Sequence, residues 1–135
     1  MEILQKLKQL EENIKILEEL KQEMQVEDIA ANKRYEWELR YGFFESIQIM
    51  IDISCKVTNY FNLGKPENYK ECIEILSKND YLNKFHSQKY IAMIGLRNLL
   101  IHEYTTIDIK KLYDFLNSID DFKNFIGEIK ENISE

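Results

Sequence analysis

Apolar residues recur every three or four positions from the start of the chain. Between residues 2 and 25 they are Ile3, Leu7, Leu10, Ile14, Leu17 and Met24. Lys21 falls on the same seam, and Lys8, Glu11, Lys15 and Glu18 occupy the other faces. This period predicts a helix whose stripe meets a partner helix. A dimeric coiled coil and the first helix of an intramolecular bundle present the same seam. About three heptads with a lysine on the seam are marginal alone, so the bundle is the favoured reading.

Residues 26–31 lose the pattern, which predicts a helix boundary. A second, long helix is predicted from about Asn32 to Phe61, with Trp37, Tyr41, Phe44, Ile47, Ile51, Cys55 and Thr58 mostly three or four apart. Phe43, Ile49, Met50 and Ile53 widen its apolar stripe beyond one face, as suits a helix packed centrally. Its β-branched stretch Ile47–Ile53 resembles a strand locally, but the helical spacing continues on both sides. Gly64-Lys65-Pro66 is expected to end this helix and begin a turn. A short helix over about Asn68–Ser77 follows, broken by Asn79-Asp80. The next is predicted over roughly Leu82–His102 on Phe85, Lys89, Ala92, Met93, Leu96, Leu99 and Leu100. Thr105-Thr106 offer hydroxyl caps, with Asp108 in the following first turn, for a last helix over Ile107–Ile133. The pattern as a whole predicts one domain over residues 1–135: an all-α up-and-down bundle of four long helices with a short helix inserted.

Composition agrees. Only 4 glycines and 1 proline occur in 135 residues, too few for the tight turns of a sandwich or barrel. No Gly-rich stretch exists to cradle a phosphate. The longest apolar runs are far short of a membrane span, and the charged start Met-Glu-Ile-Leu-Gln-Lys does not read as a secretory signal. A cytoplasmic protein without membrane contact is therefore expected. Cys55 and Cys72 have neither CxxC spacing nor a partnering histidine, and are expected to be two reduced thiols. The net charge of −6 argues against a protein that coats nucleic acid nonspecifically, but leaves room for a small local site.

Reactive side chains are scarce. The arginines are Arg34, Arg40 and Arg97, and the histidines are His86 and His102. One of each falls within Arg97-Asn98-Leu99-Leu100-Ile101-His102-Glu103-Tyr104, late in an apolar helix. A histidine near a helix C-terminus is favoured by the dipole, so a plain capping or surface role is the simplest local reading of His102. Asn98 and His102 share a face at i and i+4. Arg97 and His102 lie roughly 140° apart around a regular helix and converge poorly within one chain. Across a two-fold axis the same stretch from a second chain would bring two arginines and two histidines into one cleft. His86 has no motif company and reads as a solvated or helix-start residue.

The stretch RNLLIHEY resembles the Arg-x4-His-x-Tyr motif of the HEPN superfamily, in its HepT-like toxin branch. The charged first helix, the long second helix with ELRYGFFESIQIMIDIS, the Gly-Lys-Pro-Glu-Asn-Tyr turn and the Met-Ile-Gly-Leu-Arg-Asn lead-in resemble that branch in the same order. The resemblance implies a homodimeric, metal-independent endoribonuclease without cofactor. It implies the toxin of a type II toxin–antitoxin system, silenced by an MNT-type nucleotidyltransferase antitoxin that transfers AMP to the motif tyrosine. Carried onto this chain, Arg97 and His102 are the expected catalytic residues, Asn98 the polar support and Tyr104 the AMPylated residue. Charged residues of the family's second helix often face the site; the comparable stretch here offers Glu45 and Asp52, with Arg40 nearby. Lys84, Lys89, Lys110 and Lys111 flank the motif in sequence. Two other classes stand beside this reading: a non-catalytic HEPN scaffold subunit of a nucleotidyltransferase complex, and a coiled-coil oligomerisation protein resting on residues 2–25 alone.

Overall fold

The computed structural model describes residues 2–102 and 107–133. Four long helices make its frame: α1 (Glu2–Glu23), α3 (Lys33–Tyr60), α5 (Lys84–His102) and α7 (Ile119–Ile133). Three shorter helices, α2 (Val26–Ala31), α4 (Tyr69–Lys78) and α6 (Ile109–Asp114), lie on the connections. Each long helix packs on the next in chain order, and α7 closes the ring against α1. This is the all-α bundle that the periodicity predicts.

Helix α1 buries Ile3, Leu7, Leu10, Ile14, Leu17 and Leu20 against α3 and α7 of the same chain, so the intramolecular reading of its stripe holds. The seam departs from expectation at one point. Leu20 takes the place given to Lys21, whose side chain is exposed, and Met24 is fully buried. The cause is the helical repeat: at 3.6 residues per turn the stripe drifts against a strict seven-residue pattern, and two turns bring Leu20 over the core.

Where the pattern lapses, α2 forms, with only Ile29 buried. Asn32 then caps α3 by accepting the Arg34 N–H at 3.0 Å. Helix α3 touches α1, α2, α4, α5 and α6, as its wide stripe foretells. Its core face is Leu39, Phe43, Ile47, Met50, Ile53 and Val57, whereas Trp37 and Tyr41 are 60% and 63% exposed. The turn after α3 is made by Asn62, at φ 55, and not by Gly64, which has no positive φ. Asparagine tolerates the left-handed region; a Cβ on Gly64 would lie 3.0 Å from Ile75 Cδ1, so a larger residue there would make the tip of that side chain shift.

The expectation of two free thiols is overturned. Cys55 of α3 and Cys72 of α4 form a disulfide, with their Cα atoms 5.0 Å apart. Helix α4 lies against α3 with Cys72 on its buried face, which brings the two together. The last predicted helix is also divided. A 3-10 turn over Phe115–Ser118 separates α6 from α7. The change of winding lets Leu112 face α2 and α3 while Ile119, Phe122 and Ile126 face α1 and α5. Asp108 is the N-cap of α6, accepting the Lys110 N–H at 3.0 Å, and does not sit in its first turn. The proposed caps Thr105 and Thr106 lie outside the described residues.

Candidate functional site

Helix α5 carries both histidines, and the bundle treats them differently. His86 lies in its first turn, where its backbone N–H donates to Asn83 Oδ1 at 2.8 Å. Its Nδ1 is 2.6 Å from Glu128 Oε2 on α7. The same carboxylate accepts the Tyr90 hydroxyl at 3.0 Å and the Asn83 N–H at 2.9 Å. Burial, and then the charge of Glu128, raise the Tyr90 pKa well above its ordinary value. His86 is therefore a helix-start residue, as expected, but one tied to a part-buried network rather than simply solvated.

At the other end of α5, Arg97 is half-buried, whereas Asn98 and His102 are exposed. Arg97 Nε donates to Gln48 Oε1 at 2.9 Å, and its Nη1 donates to Asn98 Oδ1 at 3.0 Å. The guanidinium carbon lies 5.3 Å from the ring centre of Tyr69 and 5.9 Å from that of Phe44. His102 is the last residue of α5, and the helix is regular up to it. The angular separation of Arg97 and His102 therefore stands, and the fold does not turn the two toward one point within a chain. Tyr104 lies outside the described residues.

Beside Arg97, α3 and the end of α5 enclose an open apolar groove of about 470 Å³ lined by Trp37, Arg40, Tyr41, Phe44, Leu100 and Ile101. Glu45 does not join Arg97; it accepts from Asn13 Nδ2 at 2.8 Å and from the Tyr41 hydroxyl at 2.6 Å. That bond to a carboxylate raises the Tyr41 pKa. Asp52 reaches Arg97 only through Gln48, whose Nε2 donates to Asp52 Oδ1 at 3.0 Å. Arg40 pairs with Glu36 at 2.8 Å. Lys89 lies 3.8 Å from Asp121. Among the described residues no cluster of His, Cys, Asp and Glu is arranged to hold a metal ion, and no helix is long and apolar enough to cross a membrane.

Sequence reasoning selects Arg97, Asn98 and His102 but misses Gln48, Phe44 and Tyr69. Gln48 and Asp52 stand at i and i+4, a visible pairing on α3. Nothing in the sequence connects that pair to an arginine 49 residues away.

Comparison with known proteins bears on this arrangement. A curated relative, the mRNA nuclease HepT of Shewanella oneidensis, is 27% identical over 81 residues, covering 59% of this chain. The match spans 61% of that protein's own length. Among solved structures, a tri-AMPylated Shewanella oneidensis HEPN toxin in complex with an MNT antitoxin superposes with a TM-score of 0.86. The two are 20% identical, and the superposition covers 96% of each chain. A cytosolic protein of unknown function from Bacillus subtilis, YutE, shares the fold at a TM-score of 0.75 and 15% identity, over 94% of this chain and 90% of its own. The family model "Ribonuclease HepT-like" matches residues 10–129, nearly the whole bundle including Arg97 and His102, and the chain belongs to the HepT-like ribonuclease family.

Proposed function

We propose that this chain is an RNA-cleaving toxin, active as a homodimer without metal in the cytoplasm and held silent by a nucleotidyltransferase antitoxin. The observation that carries the reading is Arg97, fixed by bonds to Gln48 of α3 and to Asn98 near the end of the helix that also carries the exposed His102. Membership of a ribonuclease family supports the substrate class, and the solved HEPN toxin bound to an MNT antitoxin supports the partner.

The chemistry follows from these side chains. Cleavage through the 2′-hydroxyl needs a base for its proton and an acid for the leaving oxygen, and imidazole can serve either role near neutral pH. His102 takes these roles. Arg97 meets the phosphate oxygens as charge builds on the phosphorane, with Asn98 as its polar neighbour. Because Arg97 and His102 diverge on one helix, the full set is assembled from two chains. The apolar groove and the exposed Leu99 and Ile101 beside the motif suit an isologous contact with a second copy. Tyr104, two residues beyond His102, is the acceptor of AMP, which would set a bulky anion where the RNA phosphate must enter.

The test uses the full chain with RNA in the presence of a chelator. Cleavage that survives chelation and is lost in both His102→Ala and Arg97→Ala is the expected result. Incubation with ATP and the cognate nucleotidyltransferase should add AMP to Tyr104, by intact mass, and stop cleavage. A dimer that binds the transferase but cleaves no RNA would leave the scaffold reading in its place.

A further inference from the structure

We propose that Gln48 and Tyr69 are positioning residues for Arg97, holding its guanidinium in the orientation that meets the scissile phosphate. The inference rests on the proposed phosphate contact of Arg97 and names the residues on other helices that make it competent.

The polarity of the network is fixed by what each group can do. Arg97 Nε can only donate, and the Asp52 carboxylate can only accept. Gln48 stands between them, giving Oε1 to Arg97 at 2.9 Å and Nε2 to Asp52 at 3.0 Å. A flipped amide would face donor to donor on one side and acceptor to acceptor on the other. Asp52 is itself held from α1, with Lys6 Nζ 3.7 Å away. The chain Lys6–Asp52–Gln48–Arg97 thus joins three helices and sets both the direction and the rotation of the guanidinium.

Tyr69 sets its plane from another side. Its ring centre is 5.3 Å from the guanidinium carbon, within cation–π range. Tyr69 is the first residue of α4, and that end of the helix is anchored twice. Asn68 caps it by accepting the Glu71 N–H at 2.9 Å, and the Cys72 disulfide ties the same turn to α3. Tyr69 as a whole residue is 44% exposed, so packing in the core does not explain its position. A guanidinium has five N–H groups; Gln48 and Asn98 take one each. The other three have no protein acceptor among the described residues and can serve phosphate oxygens. Side-chain ordering is therefore complete before RNA arrives, the condition under which an arginine stabilises developing charge best.

The experiment combines steady-state RNA cleavage with the ¹H–¹⁵N signal of Arg97 Nε, using full-length protein. Gln48→Leu should lower kcat by about tenfold to a hundredfold with KM changed less than about twofold. The Arg97 Nε–H, slow to exchange in the parent protein, should exchange like a free arginine in that variant. Gln48→Glu should fail similarly by facing Asp52 with a second carboxylate. Adding Asp52→Asn restores both bonds with the second reversed, and should recover at least half of the lost rate. Tyr69→Leu should lose about fivefold more than Tyr69→Phe, which keeps the ring. A parent protein that cleaves no RNA sinks the proposed function, while the Nε signal still decides the positioning claim. A freely exchanging Arg97 Nε–H in the parent, an unchanged kcat in folded Gln48→Leu, a change in KM alone, or no recovery in the double variant would each overturn the inference.

Discussion

The two ends of helix α5 use similar residues to opposite ends. In the first half, His86, Tyr90 and Asn83 all bond to one carboxylate, Glu128, and Ser87, Tyr90 and Met93 are buried. The Glu128 carboxylate draws all three to a partner inside the molecule. In the second half, Asn98 and His102 face solvent beside the exposed apolar residues Leu99 and Ile101. Arg97 is held from behind, by α3 and α4. A histidine with a satisfied partner serves the fold. One left exposed on the same helix as an ordered arginine is available for chemistry.

The sharpest way to break this contrast is to exchange the effects of the two histidines. His102→Ala or Arg97→Ala should cost about a thousandfold in cleavage rate, on the order of 4 kcal/mol of transition-state stabilisation, with little change in melting temperature. His86→Ala should instead lower the melting temperature and leave cleavage within about twofold. A large rate loss in His86→Ala alone would reverse the assignment.

The next effect in size concerns the tie that holds α4 near Arg97. Opening the Cys55–Cys72 bond, which spans 17 residues, should lower unfolding free energy by about 3 kcal/mol. Urea denaturation with and without reductant, and of Cys72→Ser, measures it. A smaller loss, about 2 kcal/mol, is expected of Glu128→Ala, because it strands the buried Tyr90 hydroxyl. The same network sets an alkaline limit. The folded-state pKa of Tyr90 is raised above its ordinary value of 10.0, so its contribution is complete below about pH 10 and is lost as pH rises further. Denaturation curves from pH 9 to 11 should show a decline that Tyr90→Phe flattens. The smallest effect should lie in the second half of α5. Gly95 is exposed, and a Cβ there would meet nothing within 4 Å. Gly95→Ala should therefore stabilise the fold by about 0.5–1 kcal/mol in the same urea assay.

Much of the fold was legible because helix periodicity and caps are local. Most of the stripe of α1, the span of α3 and the place of α4 follow from spacing. Misjudgements occurred where a local signal competed with packing. Leu20 displaced Lys21 because the helix drifts, and Asn62 rather than Gly64 took the left-handed turn because asparagine also tolerates that region. The 3-10 turn after α6 answers to two neighbouring helices at once, which no single stripe encodes. The candidate site was half legible. Arg97, Asn98 and His102 lie within one short stretch and share a helix, so spacing marks the stretch, while their expected roles come from its resemblance to the HEPN motif.

By itself, then, the sequence determined the helices, their buried faces and the short polar stretch that carries the candidate chemistry, because each depends on residues a turn or two apart. Tertiary structure alone decided the rest. It brought Gln48 and Tyr69 to Arg97, joined Cys55 to Cys72, and gave His86 a carboxylate while leaving His102 exposed. Those outcomes depend on which helix faces which, and that is settled by how all the apolar stripes pack together at once.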